Sequence, residues 1–313
     1  MADNNLVSTR APLSLNKRVR RIFYYITLCR PANVITAMAD VLAGVSIVLF
    51  YSSSYENSNF YYKSILLLTS TAGLYAGGIV FNDVFDAGLD RVERPERMIP
   101  SGIITEKAAK RYGCILFIIA LISSALVSIT SFVVACTIVV LALLYDSKSK
   151  HHSLAGPLNM GLCRGCNLLL GISLMPAVLK QNFYLAIVPV IYIFAVTTIS
   201  RDEVHGGKRK NLATAFILYL LVFFILYMVC RHTGVYAGLW IVLPFCIAVM
   251  TPLYNAWQAP YAKNIVKAVK AGVLSIIFLD AAWAAIHQQV LLCGLILCFL
   301  PFSILLGKYF AIT

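Results

Sequence analysis

Long apolar runs alternate with short polar clusters along almost the whole of this 313-residue chain. A run of about 18 or more apolar residues suits a helix crossing a bilayer, where each backbone N–H and C=O must be satisfied within its own segment. The runs place spans at Pro31–Ser52, Ser64–Phe81, Tyr112–Ile129, Ser131–Tyr145, Leu154–Ala177, Asn182–Ile199, Leu212–Cys230, Val235–Trp257 and Ile265–Ile286. Val290–Phe310 reads as a tenth span or a shorter re-entrant piece. The pattern predicts an all-α fold, a polytopic membrane bundle of nine or ten transmembrane helices. Residues 1–30 form a basic N-terminal segment, and residues 31–313 a single transmembrane domain.

Three polar clusters interrupt the runs. The first, Asn82–Gly102, follows directly on the second span and packs five acids and three arginines into the sixteen residues from Asn82 to Arg97. If the helix continues, turning about 100° per residue, Asn82, Asp83, Asp86 and Asp90 share about 100° of its surface. Carboxylates that close repel unless a positive charge lies among them. Mg²⁺ does this well, since it prefers carboxylate oxygens and bridges them to phosphate. A solvated helix end outside the membrane explains the charge, but not acids on one arc followed by arginines and a Pro100-Ser101-Gly102 turn. The second cluster, Tyr145–His152, carries Asp146, Lys148 and Lys150. The third runs from Ser200 through Arg201, Asp202, Glu203, His205 and Gly206-Gly207 to Lys208–Lys210, and echoes the first at the end of another even-numbered span.

Polar residues inside spans narrow the chemistry further. Asp40 lies deep in the first span, where an acid costs about 3 kcal/mol unless it faces a wet cavity or a partner. Arg164 and Asn167, spaced to share a helix face, either bind a substrate phosphate or brace an acid such as Asp146. Cys163 and Cys166 form a C-x-x-C inside a span with no second pair nearby, which reads as packing rather than zinc or redox chemistry. His232 and His287 sit at span ends as polar boundary residues.

Composition agrees with a membrane protein. The chain is 60% hydrophobic and 12% charged, with a mean hydropathy of +0.82. Its net charge of +13 is spread among loops, a distribution that sets topology and attracts anionic membrane lipids rather than nucleic acid. With the N-terminus in the cytoplasm, only Lys63, Lys180 and Arg231 fall outside, and all three polar clusters lie on the cytoplasmic face. Residues 1–21 lack the apolar core of a signal peptide. Acids that hold Mg²⁺ and cations that take phosphate oxygens suit a ligand with a diphosphate head and a greasy tail. Once its charge is neutralised the diphosphate leaves more readily, and an allylic carbon can carry the positive charge, with Phe85 and Tyr145 as candidate aromatic faces.

These motifs resemble the UbiA superfamily of intramembrane prenyltransferases over nearly the whole chain. Asn82, Asp83, Asp86 and Asp90 match its Asn-Asp-x-x-Asp-x-x-x-Asp motif, and Arg94, Pro95, Arg97, Pro100, Ser101 and Gly102 match the segment that follows, with Met98 in place of a proline. Arg30-Pro31 and the block of Tyr145, Asp146, Lys150, Arg164 and Asn167 are similar too. The resemblance implies helices around a central cavity and transfer of a polyprenyl group from its diphosphate to a small acceptor. In that reading Asn82, Asp86 and Asp90 hold one metal with Asp83 assisting, Asp202 with Glu203 serves a second, and Arg94, Arg97, Lys150 and Arg164 bind diphosphate. The third cluster departs from the family's second Asp-rich motif, since Asp202 fits but the downstream acid is missing. His205, near that place, takes a proton or metal, or only braces the loop. The Ser200–Gly207 form resembles the branch called UbiA-like ebo-cluster proteins, which implies a sugar- or cyclitol-derived acceptor. A carrier or transporter that keeps such a cavity without catalysis is the competing reading, and a scaffold in a membrane complex a third.

Overall fold

The computed structural model describes residues 16–52, 58–150, 152–201, 203, 206 and 208–310, and no strand occurs among them. Helix α1 (Lys17–Leu28) precedes the first span, α2 (Pro31–Tyr51). Pro31 opens α2, where its missing N–H leaves no bond unmade, and Arg30 before it has a left-handed backbone with φ 47°, which turns the chain from α1 into α2. Helix α3 (Ser58–Phe85) extends beyond the predicted 64–81 at both ends. It does not carry the whole acidic motif, because the chain turns at Asp86 and resumes as the short α4 (Ala87–Glu93).

Helices α5 (Glu106–Ala125) and α6 (Ile129–Leu144) form the next hairpin. The side chains of Thr105 and Ser128 cap them by accepting bonds from the backbone N–H groups of Ala108 and Ser131, which satisfies donors the helix leaves unpaired. A π turn, Tyr145–Ser149, leads to α7 (Ala155–Ile172). The predicted fifth span is shorter than expected. The helix stops at Ile172, and Ala177 belongs to the short α8 (Pro176–Asn182), which a 3-10 turn joins to α9 (Ile187–Ser200). Pro176 explains the stop, since it cannot supply the N–H that would extend α7. Helices α10 (Arg209–Thr233), α11 (Leu239–Gln258), α12 (Ala262–Ile286) and α13 (Val290–Tyr309) complete the chain.

Among the described residues nine helices are long and apolar enough to cross a membrane, and Val290–Tyr309 is one of them. Helix α7 is not in that set, because Asn159, Arg164 and Asn167 lower its hydropathy, yet it runs the length of the bundle. It starts where Asn159 Nδ2 donates to Ser149 Oγ at 3.0 Å, passes Asp40 in mid-α2, and ends where Ser173 Oγ donates to Ser131 Oγ at the far end of α6, 2.8 Å away. Helices α2 and α12 are the most enclosed spans. Large apolar side chains such as Ile118, Val140, Phe224, Trp240 and Leu291 point outward, as expected of helices whose solvent is lipid.

Two glycines bring α2 and α7 together. A Cβ at Gly44 would lie 2.4 Å from Leu168 O, and one at Gly171 only 2.3 Å from Val41 O. Small residues allow this near-contact of backbones between membrane helices. The contact sets the polar middle of α7 against Asp40.

Candidate active site

The acids of the first cluster gather at one end of the bundle, divided between two sets of partners. Asp83 and Asp90 form the first set. Arg30 Nη2 reaches Asp83 Oδ1 at 2.5 Å, and Arg97 Nη1 reaches Asp90 Oδ2 at 2.7 Å and Asp83 Oδ1 at 3.5 Å. Asn82 and Asp86 form the second set, facing the turn after α6. Asn82 Nδ2 donates to Asp146 Oδ1 at 2.7 Å, and Lys150 pairs with Asp86. The single arc expected from the helix wheel therefore resolves into two neighbouring faces, with Asp83 and Asp90 almost fully buried against arginines.

A cavity of about 270 Å³ opens beside the second face. Arg30, Asn33, Asn82, Tyr145, Asp146 and Lys150 line its polar end. Its walls are apolar, from Leu74, Ile79, Ile138, Ala142 and Met160, and Thr71, Tyr75, Arg164 and Asn167 line it deeper in the bundle. Of the expected substrate-binding residues, Tyr145, Lys150, Arg164 and Asn167 are brought together here. Phe85 is not among the lining residues. It is half exposed, and Tyr75 is the further aromatic ring at the cavity.

Arg164 braces an acid, and that acid is Asp40 rather than Asp146. Its Nη1 donates to Asp40 Oδ2 at 2.7 Å, and its Nη2 to Thr36 Oγ1 at 2.8 Å and Tyr75 Oη at 3.2 Å. The guanidinium also lies 4.9 Å from the centre of the Tyr75 ring. Asn167 Nδ2 donates to Ala37 O and Asp40 Oδ2, at 2.7 and 2.9 Å, and its Oδ1 accepts from Thr71. Asp40 is therefore a paired acid. Sequence reading noticed Asp40 and Arg164 separately, but nothing local signals a pair 124 residues apart. Thr36, Thr71 and Tyr75 gave no signal, because hydroxyls are ordinary in apolar helices.

The third cluster lies at the same end. Glu203 is partly buried near Arg94 and Lys270; burial lifts its carboxyl above the ordinary range, and the two cations partly offset this. Arg201 lies within electrostatic reach of Tyr145. Asp202 and His205 fall outside the described residues. Arg94 ends α4, its backbone N–H donating to Asp90 O.

The donor set suits a hard divalent ion in chemical type. Asp86 and Asp146 offer carboxylate oxygens, and Asn82, whose Nδ2 faces Asp146, keeps its carbonyl oxygen as an acceptor. Among the described residues no three carboxylate, His or Cys groups cluster at ion-binding distance, and lysine and arginine side chains take up the acids instead.

The UbiA prenyltransferase family matches residues 41–264, well over half the chain. A digeranylgeranylglyceryl phosphate synthase from Sulfolobus acidocaldarius is 30% identical over 196 residues, 61% of this chain and 67% of that protein. One from Methanosphaera stadtmanae is 25% identical over 276 residues, 85% of this chain and 89% of that protein. A solved digeranylgeranylglyceryl phosphate synthase aligns with 86% of this chain and 99% of its own, at TM-score 0.66 and 22% identity. A UbiA homolog from Archaeoglobus fulgidus bound to DMAPP and Mg²⁺ aligns with 85% of this chain and 99% of its own, at TM-score 0.60 and 15% identity. At those identities the two structures speak for the fold alone. With the fold, the motif and the match over residues 41–264 in agreement, the chain belongs to the UbiA prenyltransferase family and is a membrane-embedded prenyltransferase.

Proposed function

We propose that this enzyme is Mg²⁺-dependent and moves a prenyl chain from its diphosphate to a hydroxyl of a small polyol. The observation that carries the reading is the junction of acids and cations at the polar end of an apolar-walled cavity, where Asn82, Asp86, Asp146, Lys150 and Arg30 meet. The C1–O bond of the allylic diphosphate breaks, pyrophosphate leaves, and a C1–O bond to the acceptor forms as its hydroxyl loses a proton. Lys150 and Arg30, which line the cavity, supply the charge that holds the diphosphate oxygens, while Arg97, three residues on from Arg94, stays with Asp83 and Asp90. Asn82 and Asp86 would hold Mg²⁺ on this face beside Asp146, while Asp83 and Asp90, on the neighbouring face, fix Arg30 and Arg97. Asp202, assisted by Glu203, would hold a second ion, and His205 would serve the acceptor. Bound there, Mg²⁺ would neutralise the diphosphate and make it a better leaving group. Tyr145 lines the polar end of the cavity, where a π face would favour developing positive charge.

A polyol hydroxyl is the chemistry shared by a sugar- or cyclitol-derived acceptor and by the glyceryl phosphate in the relatives' name. The active end faces the cytoplasm, following the bias of basic residues. Incubating the purified enzyme with Mg²⁺, geranylgeranyl diphosphate and either geranylgeranylglyceryl phosphate or inositol, with mass spectrometry of the lipid fraction, tests the reading. A prenylated ether of one acceptor supports it and names the acceptor. Failure to bind any prenyl diphosphate overturns it.

A further inference from the structure

Beneath the cavity, two acids and one arginine meet in the middle of the membrane. Asp280 on α12 is buried next to Asp40 on α2, with its carboxyl within hydrogen-bonding reach of the Asp40 carboxyl. Among the described residues no N–H or O–H group reaches Asp40 Oδ1 or Asp280 Oδ2. A carboxylate accepts hydrogen bonds and donates none, so a bond between two of them requires a proton on one. Arg164 supplies one positive charge, and a second unpaired carboxylate in this setting would be far more costly than a neutral acid. Arg164 Nη1 and Asn167 Nδ2 both donate to Asp40, which marks Asp40 as the ionised partner. The other ionisable groups around the pair are phenols: Tyr75 on α3, bonded to Arg164, and Tyr192 on α9, whose hydroxyl donates to Gly272 O at 2.6 Å beside Tyr219 on α10.

We propose that Asp280 is held as a neutral acid sharing its proton with Asp40, and that this acid pair is a positioning device that fixes Arg164 and Asn167 at the cavity. The charges of Asp40 and Arg164 then cancel, and the deep end of the cavity presents a fixed guanidinium and amide without a net field. Asp40 and Asp280 act through Arg164 and touch no reacting atom. The part that concerns catalysis rests on the prenyl-transfer reading; the shared proton does not.

Infrared spectroscopy of the purified protein in lipid nanodiscs tests the proton directly. The protein at neutral pH should show the C=O stretch of a buried carboxylic acid, absent in Asp280→Asn and retained in Asp86→Asn. Asp280→Asn, which copies the neutral acid, should fold and transfer prenyl groups within about threefold of the parent, and should keep its activity to a higher pH than the parent. Asp40→Asn, which strands Arg164, should lower kcat/KM at least about tenfold and lower the Tm. Absence of the acid band, or damage from Asp280→Asn equal to that from Asp40→Asn, overturns the proposal. An acid band in a protein that transfers no prenyl group supports the shared proton and counts against the proposed activity instead.

Discussion

Single side chains at the polar end of the cavity have distinct duties. Lys150 pairs with Asp86 and lines the cavity, whereas Arg97 is spent on Asp90 and Asp83. Lys150→Ala should therefore reduce kcat/KM for the prenyl diphosphate by at least about tenfold, chiefly through KM, as steady-state kinetics would reveal. At the opposite end His287 is fully buried beside Trp283, Phe50 and Tyr51, with Nδ1 2.8 Å from Trp283 O. Burial pushes its pKa down to about 4. The folded protein thus resists a proton that the unfolded chain accepts below about pH 6.5, so this contribution, about 3 kcal/mol at most, is present above that pH and lost as pH falls toward 4. Thermal melts of His287→Gln should show a shallower loss of Tm across that window than the parent; an unchanged slope would count against the account. The sequence marked His287 as a boundary residue, which fits its place at the end of α12, but three aromatic neighbours from two helices are invisible in a linear reading.

At the scale of elements, the spans were legible because lipid demands long apolar runs, and the acids of the first motif because their density in a membrane protein is costly. Helix α1 went unread, since twelve residues of mixed polarity look like any charged leader. The break at Asp86 also went unread, and with it the division of the acids into two faces. The closeness of α2 and α7 depends on Gly44 and Gly171, where glycine is unremarkable until the partner backbone is known. Gly171→Leu should force the two helices apart and cost about 1–3 kcal/mol of stability, as for other overpacked sites. Gly294→Leu on α13, where an added Cβ meets nothing within 4 Å, should leave the Tm in detergent near that of the parent. Equal effects would refute the close-contact argument.

For the whole molecule, the ends of α3, α6 and α9 carry the three polar clusters to one end of the bundle, as the alternation of spans required. Helix α13 returns to that same end, where Ser303 Oγ donates to Ala32 O at 3.1 Å and Phe310 packs on Phe23 with ring centres 5.3 Å apart. An even number of crossings follows, with both ends of the described chain on the face of the active site. The orientation is an expectation from the basic residues, whereas the polar floor built from α2, α7 and α12 left no mark in the sequence, because its members are scattered over the chain. In a cysteine-free background, single cysteines at Arg111 and Lys308 should stay protected from an impermeant maleimide in intact cells, and those at Lys180 and Arg231 should react. The reverse labelling would invert the topology.

The central claim is that acids after α3 and α6, with their lysine and arginine partners, bind a magnesium-bearing prenyl diphosphate and release its pyrophosphate. The direct measurement is pyrophosphate release from geranylgeranyl diphosphate by the purified protein with acceptor, in Mg²⁺ and in excess EDTA, for the parent and for Asp86→Asn combined with Asp146→Asn. The account predicts release that needs Mg²⁺ and falls at least about 100-fold in the double variant. Release that persists at the parent rate in the double variant, or in EDTA, would contradict it.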